Sequence, residues 1–445
     1  MRGIWFGTAG VVAVIVAVAA ALSQPLVAVA IVTLIVGALL PSRTVVPVAA
    51  AIVLGLMIAF PVQYLDNFGG LARGVLFAAP AVTVLALARS RQRPQIGSRT
   101  PAALVATYTV LLALITFLHR DIANLNLLWA TVVPAVCIAV LLSASDDKQT
   151  RWVENFVILV ACAESAYGLA EMLAHLAPLW TDVAATGRAS QILPGFTRAQ
   201  GTLAHPLPLA LLSVVSIALL LSRRHTNQRR GIVPGVAILT LGVIATGSRS
   251  ALVLIVLLLA FSIGRRAWSV LSVAAGLGVL GVLGLAAGGF FSSNVWTNFV
   301  RGDSLSHRNG ALDAVPRLLQ DQSITLVVFG NGYFSAPSLF ARGLLQQGSF
   351  FAIDNQFVTT LVETGIIGVL LLGVACSVIF FRAARYRMLI FTVIAFFFTF
   401  DLLSWPSAAT LFAFSLALVF RRPDPEEIHP GSPSLPVPRQ TSTAR

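Results

Sequence analysis

The chain has 445 residues, of which 57% are hydrophobic and only 11% are charged, and its mean hydropathy is +0.87. Soluble domains carry about 25% charged residues, so this composition excludes a soluble globular enzyme, and it equally excludes a disordered protein. The net charge of +13 would suggest nucleic acid on a soluble protein. Long unbroken apolar runs instead predict an all-α polytopic membrane protein, since β-barrel strands show only short alternating segments.

Fourteen apolar runs are candidates for transmembrane helices. They lie near 4–22, 25–41, 44–60, 73–88, 101–118, 126–143, 152–173, 203–221, 231–246, 250–264, 268–287, 356–380, 387–401 and 407–420. Several are shorter than the usual length of about 20 residues, so we expect about 12 to 14 spans. The pair 231–246 and 250–264 could also form one interrupted hairpin.

The basic residues predict the orientation of these helices. With a cytoplasmic N-terminus, 21 of the 30 Lys and Arg residues fall on the cytoplasmic side and nine arginines fall outside. This alternation follows the positive-inside rule at every loop and places both termini in the cytoplasm. Orientation therefore accounts for most of the positive charge, and we expect no nucleic-acid partner.

Two segments differ from the rest of the predicted membrane domain, which spans 1–422. The tail at 423–445 is rich in Pro and Ser and is expected to be disordered in the cytoplasm. One large extracytoplasmic loop, about 288–355, is predicted to contain short helices. Its first helix would be capped by Ser304 or Ser306. The apolar face of that helix would hold Leu312, Val315 and Leu318 or Leu319.

Arg249 is the strongest single candidate for a functional residue, because only the residues TGSRS separate the two apolar runs that flank it. An arginine at that depth costs about 2.5–3.5 kcal/mol on insertion scales. It could bind an anion in a water-filled cavity, with help from the hydroxyls of Ser248 and Ser250 and from free N–H groups at the next helix start. Alternatively, it could be an interfacial arginine that snorkels and caps a helix end.

Two further outside arginines, Arg198 and Arg308, lie before a span and in the large loop. Each alone could be a solvated loop charge. Together with Arg249 they make an anionic substrate more plausible, because guanidinium groups bind phosphate and pyrophosphate oxygens bidentately.

Acid–base candidates lie on the same predicted face. Asp354, at the outer end of a span beside Asn355, could be a helix cap, a base, or both. Glu363, deeper in that span, should face protein or be protonated. His205 and His307 could serve as acids or bases, or could be structural or solvated. No H-E-x-x-H, DxD or P-loop pattern occurs and all three cysteines lie in predicted spans, so we expect no metal site and no cofactor.

Five segments, spread over about 150–380, together resemble the O-antigen polymerase and O-antigen ligase superfamily of bacterial membrane glycosyltransferases, and they occur in that family's order. They are GFTRAQGTLAHPLPLA, ATGSRSALV, SHRNGALDAV, FGNGYFSA and DNQFVTTLVETGIIG. Ser248, Asn331 and Asn355 lie in these motifs and are further candidates for substrate binding. Ligases that attach O-antigen to lipid A-core typically have His where this chain has Asp354, a difference that favours the polymerase side.

The resemblance implies a GT-C-like membrane fold in the bacterial cytoplasmic membrane and a polyprenyl-diphosphate-linked oligosaccharide as donor. An acceptor glycan or lipid, and a chain-length regulator, are the implied partners. In the expected reaction Arg198, Arg249 and Arg308 hold the departing diphosphate while Asp354 acts as base, with His205 and His307 as alternatives. Ligation to another lipid, wall polymer or protein remains open, as does a lipid-linked glycan flippase or transporter.

Overall fold

The computed structural model describes residues 40–61, 70–90, 94, 99–180, 190, 193, 195–223, 232–263, 310–346 and 353–421. Eleven of the fourteen predicted runs fall on helices in these ranges. Apart from residues 40 and 41, the runs near 4–22, 25–41 and 268–287 lie outside the described residues, as does the tail at 423–445.

The described elements are helices and short 3-10 turns. They are α1 (Val45–Ala59), α2 (Gly70–Arg89), α3 (Arg99–Leu118), α4 (Ile122–Ser143), α5 (Asp147–Leu173), α6 (Pro206–Ser222), α7 (Ile232–Thr246), α8 (Arg249–Ile263), α9 (Val315–Gln320), α10 (Ile324–Phe329), α11 (Ala336–Ala341), α12 (Gln356–Arg382), α13 (Arg387–Phe397) and α14 (Pro406–Phe420), with 3-10 turns at Gly201–Leu203 and Leu402–Ser404.

Four of these helices, α3, α4, α5 and α12, are long and apolar enough to cross a membrane. Six other apolar helices have 10–17 residues, and the part of α2 from Gly74 to Arg89 falls in the same range. The helical class and the membrane-like character are therefore supported, whereas the total of about 14 spans stays a prediction. Residues 232–263 form two helices, α7 and α8, separated only by Gly247 and Ser248.

Helix boundaries follow from local sequence. Asp146 and Gln149 form a capping box at the start of α5, in which the Asp146 side chain accepts from the Gln149 N–H at 2.8 Å and the Gln149 side chain accepts from the Asp146 N–H at 2.9 Å. Pro206 begins α6, where its missing N–H costs no helical hydrogen bond.

The helices pack into one large apolar core. In it α14 lies along α4, α7 lies against α5 and α6, and α12 lies against α3. Four phenylalanines from the α13–α14 region are fully buried: Phe396, Phe397, Phe400 and Phe414. This packing fixes the ends of α5, α6, α7, α8, α12 and α14 relative to one another.

Polar contacts join the helices at two opposite ends of this bundle. At the end that we name the Glu154 end, Glu154 accepts from Arg223 and from the Tyr386 hydroxyl at 2.8 Å, and Arg421 pairs with Asp147 at 2.8 Å. The other end, here the Arg249 end, consists of the loop 195–205, the turn 246–249, residues 353–356 and the turn 398–405. The predicted orientation would place the Arg249 end outside the cell.

The described part of the large loop forms a second, smaller core with the start of α12. Its buried members are Ala311, Ala314, Leu318, Leu339, Phe340, Leu345, Ile353, Val358 and Val362. The predicted apolar face is therefore partly wrong. Leu312 and Leu319 are 51% and 40% exposed, although Leu318 is buried and Val315 packs against the core. A new helix, α9, begins at Val315 with Pro316 in its first turn, so one continuous periodicity does not run through this segment.

Candidate active site

Two glutamates of α5 hold the loop 195–205. The Oε2 atom of Glu171 accepts from the backbone N–H groups of Gln200 at 3.0 Å and Gly201 at 2.9 Å. Glu164 accepts from the backbone N–H of Thr202 at 2.9 Å and from its hydroxyl at 2.7 Å. Carboxylates that accept hydrogen bonds from backbone N–H groups hold a loop strongly in place, because charge-assisted hydrogen bonds are roughly twice as strong as neutral ones.

The same loop depends on an unusual backbone. Gly201 has φ +61°, and a Cβ placed on it would lie 2.5 Å from Oε2 of Glu164. Ala204 also lies in the left-handed region, at φ +56°. The indole N–H of Trp180 donates to the Thr202 carbonyl at 2.8 Å and holds the loop from its other side. The loop is thus a rigid platform for the residues that precede and follow it.

Arg198 joins this loop to the turn between α7 and α8. The Ala199 N–H donates to the Ala245 carbonyl at 2.9 Å, and the Nε of Arg198 donates to the Thr246 carbonyl at 2.8 Å. A Cβ placed on Gly247 would lie 3.3 Å from Cγ of Arg198. The two motifs that were singled out separately in the sequence therefore meet in space.

Arg249 lies in that turn as the first residue of α8 and is half-buried. Ser248 beside it is buried, its N–H contacts the Thr246 hydroxyl at 3.3 Å, and its hydroxyl lies 3.4 Å from that of Ser250. The start of α8 contributes partial positive charge from its backbone N–H groups. Arg198, Ser248 and Arg249 are therefore brought together, whereas His307 and Arg308 lie outside the described residues.

His205 is the N-cap of α6. Its Nδ1 accepts from the Leu207 N–H at 3.2 Å, which requires an unprotonated Nδ1. Its ring packs against the indole of Trp405, with the ring centroids 4.7 Å apart. Because the nitrogen that could accept a proton is used in the cap, the structure favours a structural part for His205 over the alternative that it acts as a base.

Asn355, and not Asp354, caps α12. The Oδ1 of Asn355 accepts from the N–H groups of Phe357 at 2.9 Å and Val358 at 3.3 Å. Asn355 is buried, so its amide oxygen is committed to the helix, and we do not retain it as a substrate ligand. Asp354 precedes the cap and is half-buried, which leaves its carboxyl group outside the capping hydrogen bonds.

Two functional candidates at this end, Asp401 and Trp405, are not singled out by the sequence pattern, because Asp401 simply ends the predicted run 387–401. The indole N–H of Trp405 donates to Oδ1 of Asp401 at 3.1 Å. Asp401 is itself half-buried. The sequence signal that could have indicated them is an acidic residue shortly before a Trp-Pro pair at the start of a helix.

The FGNGYF turn, 329–334, contacts α12 where the helix is kinked at Gly365, which has φ +65°. The N–H groups of Asn331 and Gly332 donate to the carbonyls of Val362 and Glu363 at 2.8 and 2.9 Å. The Glu363 carboxylate accepts from the Phe334 N–H at 2.8 Å, so this acid does face protein as expected.

The side chain of Asn331 is also engaged within the protein. Its amide nitrogen donates to Gln322 at 3.1 Å and to the Val362 carbonyl at 3.2 Å, and its oxygen accepts from Arg342 at 3.3 Å. These bonds favour a bracing part for Asn331 over substrate binding.

No protein-family model matches the chain, and no curated protein matches it either. Among the residues that the structure describes, no group of three or more His, Cys, Asp or Glu side chains is placed to hold a metal ion. A functional assignment therefore depends on the chemistry of the Arg249 end. There, arginines from two loops and carboxyl groups from two other segments gather at one end of an apolar bundle.

Proposed function

We propose that this protein transfers glycosyl groups from a polyprenyl-diphosphate-linked oligosaccharide at the outer face of the bacterial cytoplasmic membrane, polymerising the repeat units of a cell-surface polysaccharide. The observation that carries the proposal is the meeting of Arg198 with the Ser248–Arg249 turn at the end of an apolar helix bundle. Such a place suits a substrate whose lipid tail stays in the bilayer and whose diphosphate lies at the interface.

The arginines would act on the leaving group. As the sugar departs, negative charge develops on the diphosphate, and donors already in place stabilise that charge without reorganisation. Arg198 and Arg249 would hold the diphosphate together with the N–H groups at the start of α8, and Arg308 would complete the set. Ser248 would contribute a hydroxyl.

Asp354 would act on the acceptor. A sugar hydroxyl of the acceptor attacks the anomeric carbon directly, and Asp354 orients that hydroxyl and takes its proton. A single displacement predicts inversion at the anomeric carbon. The arginines would take the place that a metal ion has in many nucleotide-sugar transferases, so we expect the reaction to proceed without a metal ion.

The proposal includes the wider architecture expected from the sequence. About 14 transmembrane helices with both termini in the cytoplasm would place the Arg249 end and the loop 288–355 outside, in a GT-C-like arrangement. The contacts of Arg43, Asp147, Glu154 and Arg223 at one end of the bundle agree with that orientation, because all four lie in or beside predicted cytoplasmic loops. Cysteine labelling of the loop in intact cells would test it, and a cytoplasmic loop would defeat the scheme.

The decisive experiment uses purified protein in lipid nanodiscs with a synthetic polyprenyl-diphosphate oligosaccharide. Arg249→Ala should lower the rate of transfer by about 10²-fold or more, the cost typical of removing one charge-stabilising donor, and Arg249→Lys should recover only part of the loss. The matched control is Arg342→Ala, which removes the same charge from an exposed arginine of the large loop.

Three results would contradict the proposal. Transfer at the wild-type rate by Arg249→Ala would remove the diphosphate assignment, and complete loss of transfer in EDTA would remove the metal-free mechanism. The third concerns the product: a ladder of repeat units is expected, whereas a single addition would indicate ligation.

A further inference from the structure

Three glutamine side chains are buried within the part of the chain that the structure describes, and they are Gln149, Gln200 and Gln356. At the Glu154 end, both ends of the Gln149 amide are used. Its Oε1 accepts from the Asp146 N–H at 2.9 Å, and its Nε2 donates to the Arg43 carbonyl at 2.6 Å. A buried amide with partners of this kind is the normal case in folded proteins.

Gln356 follows the same rule at the Arg249 end. Its Oε1 accepts from the Leu403 N–H at 2.7 Å, and its Nε2 donates to the Thr360 hydroxyl at 3.3 Å. Through these bonds a residue that is 0% exposed joins the turn 398–405 to the beginning of α12. The amides of Gln149 and Gln356 therefore serve the fold.

Gln200, in the loop 195–205, does not follow this rule. It is 3% exposed, and its Oε1 has no hydrogen-bond partner among the residues that the structure describes. Its backbone is nevertheless held in place, because the N–H donates to Oε2 of Glu171 at 3.0 Å. A buried acceptor without a partner lowers stability, so its presence in a rigid loop requires a further explanation.

The place of Gln200 in the loop suggests that explanation. Gln200 comes two residues after Arg198, whose Nε donates to the Thr246 carbonyl in the turn between α7 and α8. Ala199, between them, is 0% exposed and donates its N–H to the Ala245 carbonyl at 2.9 Å, which holds the segment against the end of α7. The Cα atoms of Arg198 and Gln200 can be at most about 7 Å apart. A ligand held by Arg198 therefore has its next chemical group close to Gln200.

We propose that Gln200 is a specificity-determining residue, whose side-chain amide binds the first sugar of the lipid-linked donor, the sugar attached to the diphosphate. The inference rests on the proposed glycosyl transfer, because it describes the donor of that reaction. An amide is satisfied by a ligand that both donates and accepts hydrogen bonds. An ionised diphosphate only accepts them, whereas the hydroxyl or acetamido groups of a sugar do both. The sugar is therefore the part of the donor that can satisfy the Gln200 oxygen.

This assignment also accounts for the cost of the buried amide. A polar group that lacks a partner in the free protein and gains one in the complex lowers stability but increases affinity, a trade-off typical of binding sites. It also provides selectivity, because a site that hydrogen-bonds a hydroxyl group discriminates strongly against a ligand without it. Gln200 would thus make a sugar-bearing lipid bind better than the bare polyprenyl diphosphate.

The test measures the binding of four lipids to the full-length protein in nanodiscs. They are bare polyprenyl diphosphate and the same lipid carrying glucose, galactose or N-acetylglucosamine. Wild type should bind at least one sugar-bearing lipid about tenfold more tightly than the bare lipid. Gln200→Met, which has a similar shape and no amide, should lose this preference, while its affinity for the bare lipid stays within about twofold of wild type. Arg249→Ala should weaken the binding of all four lipids.

Two binding results would overturn the inference. A wild-type protein that binds the bare lipid as tightly as every sugar-bearing lipid makes no sugar contact that Gln200 could provide. If Gln200→Met keeps the wild-type preference, the amide does not provide it, and the Gln200 oxygen is satisfied by a bound water only.

Thermal melting distinguishes a binding amide from a structural one. Gln200→Met should keep or raise the melting temperature, because it removes a buried acceptor that has no partner among the described residues. Gln149→Met is the matched control. It removes an amide with two partners at the Glu154 end, so it should lower the melting temperature and leave the lipid preference unchanged. A lower melting temperature in Gln200→Met, or its failure to fold, would indicate a structural residue and overturn the inference.

Transfer kinetics separate this inference from the proposed function. Gln200→Met should raise the donor KM by about tenfold and leave kcat nearly unchanged, because it removes binding that the ground state and the transition state share. A protein whose lipid preference depends on Gln200 but which transfers no sugar would contradict the proposed function and leave the sugar subsite standing. Transfer by wild type with an unchanged donor KM in Gln200→Met would contradict the role of Gln200 alone. If wild type binds none of the four lipids, both proposals fail.

Discussion

Two glycine-containing loops in this protein are built alike and yet serve different ends. The loop 195–205 lies on α5, where Glu164 and Glu171 accept its backbone N–H groups. The turn 329–334 lies on α12, where Glu363 accepts the N–H of Phe334. In both, a carboxylate within a long apolar helix accepts hydrogen bonds from loop N–H groups that water does not reach. These bonds matter because each buried donor left unpaired costs about 1–3 kcal/mol.

The difference is in what each loop does with its polar side chains. Asn331 uses both ends of its amide within the large loop and α12, so the turn 329–334 braces the kink of α12. The loop 195–205 instead reaches a third segment, the turn between α7 and α8, through Arg198. Two motifs that look equally polar in sequence therefore differ in structure: one joins separate segments of the candidate site, and the other braces α12.

The largest loss of stability should come from adding a side chain at Gly330, where the turn 329–334 contacts α12. A Cβ on Gly330, which has φ +81°, would lie 2.4 Å from the backbone of Glu363 and Thr364. Backbone atoms cannot move aside cheaply, so we expect Gly330→Ala to destabilise the protein by at least about 3 kcal/mol and to prevent recovery of folded protein.

Gly343→Ala is the matched control. Gly343 also has a positive φ, +74°, but a Cβ there would meet nothing within 4 Å. It should cost only the backbone strain, about 1–2 kcal/mol. Thermal melting in detergent compares the two variants, and equal melting temperatures would show that the contact with α12 is unimportant.

The next largest effect should come from the α5 glutamates. Glu171 is 2% exposed, and Glu171→Ala leaves the N–H groups of Gln200 and Gly201 without their acceptor. We expect a loss of about 2–4 kcal/mol in stability and a fall in transfer of about tenfold or more, because Arg198 loses its platform. Glu171→Gln retains one acceptor oxygen and should recover most of the stability. Normal transfer by a stably folded Glu171→Ala protein would separate the loop from catalysis.

A smaller effect is expected at Gly201, where the obstructing atom is a side-chain carboxylate. Glu164 can move, so Gly201→Ala should fold, at a cost of about 1–3 kcal/mol, but the loop should shift and transfer should fall severalfold. Gly195, in the same loop at φ +88° with nothing within 4 Å of an added Cβ, is the matched control. If Gly195→Ala and Gly201→Ala reduce transfer equally, the contact with Glu164 has no part in placing Arg198.

Much of the fold was predictable because it depends on local patterns. Apolar runs predicted most of the described helices to within a few residues. The face of the loop helix was predicted only in part, because a new helix begins at Val315, with Pro316 in its first turn, and interrupts the periodicity. Local propensity says little about which of several leucines meets a distant partner such as Val362.

The candidate site was only partly predictable, because its members come from distant segments. Arg198, Ser248 and Arg249 were singled out, and their proximity required the packing of α7 on α5. Asp401 ends an apolar run, and nothing near it in sequence reveals that its turn is joined to the start of α12 through Leu403 and Gln356. The roles of capping residues were also hidden: the pattern Asp-Asn before a helix does not say which of the two accepts the backbone donors.

The smallest effect on catalysis should follow from Asn331→Ala, although this residue lies in one of the motifs that suggested a substrate site. Loss of its bonds to Gln322, Val362 and Arg342 should cost about 1–3 kcal/mol in stability, since two partners are half-buried or exposed and can turn to water. Its kcat and donor KM, measured on the folded fraction below the melting temperature, should stay within about twofold of wild type, whereas Arg198→Ala should raise KM, lower kcat, or both. A fall of tenfold or more in kcat/KM for Asn331→Ala at unchanged stability would indicate that the turn 329–334 binds substrate. The two loops would then not differ in function.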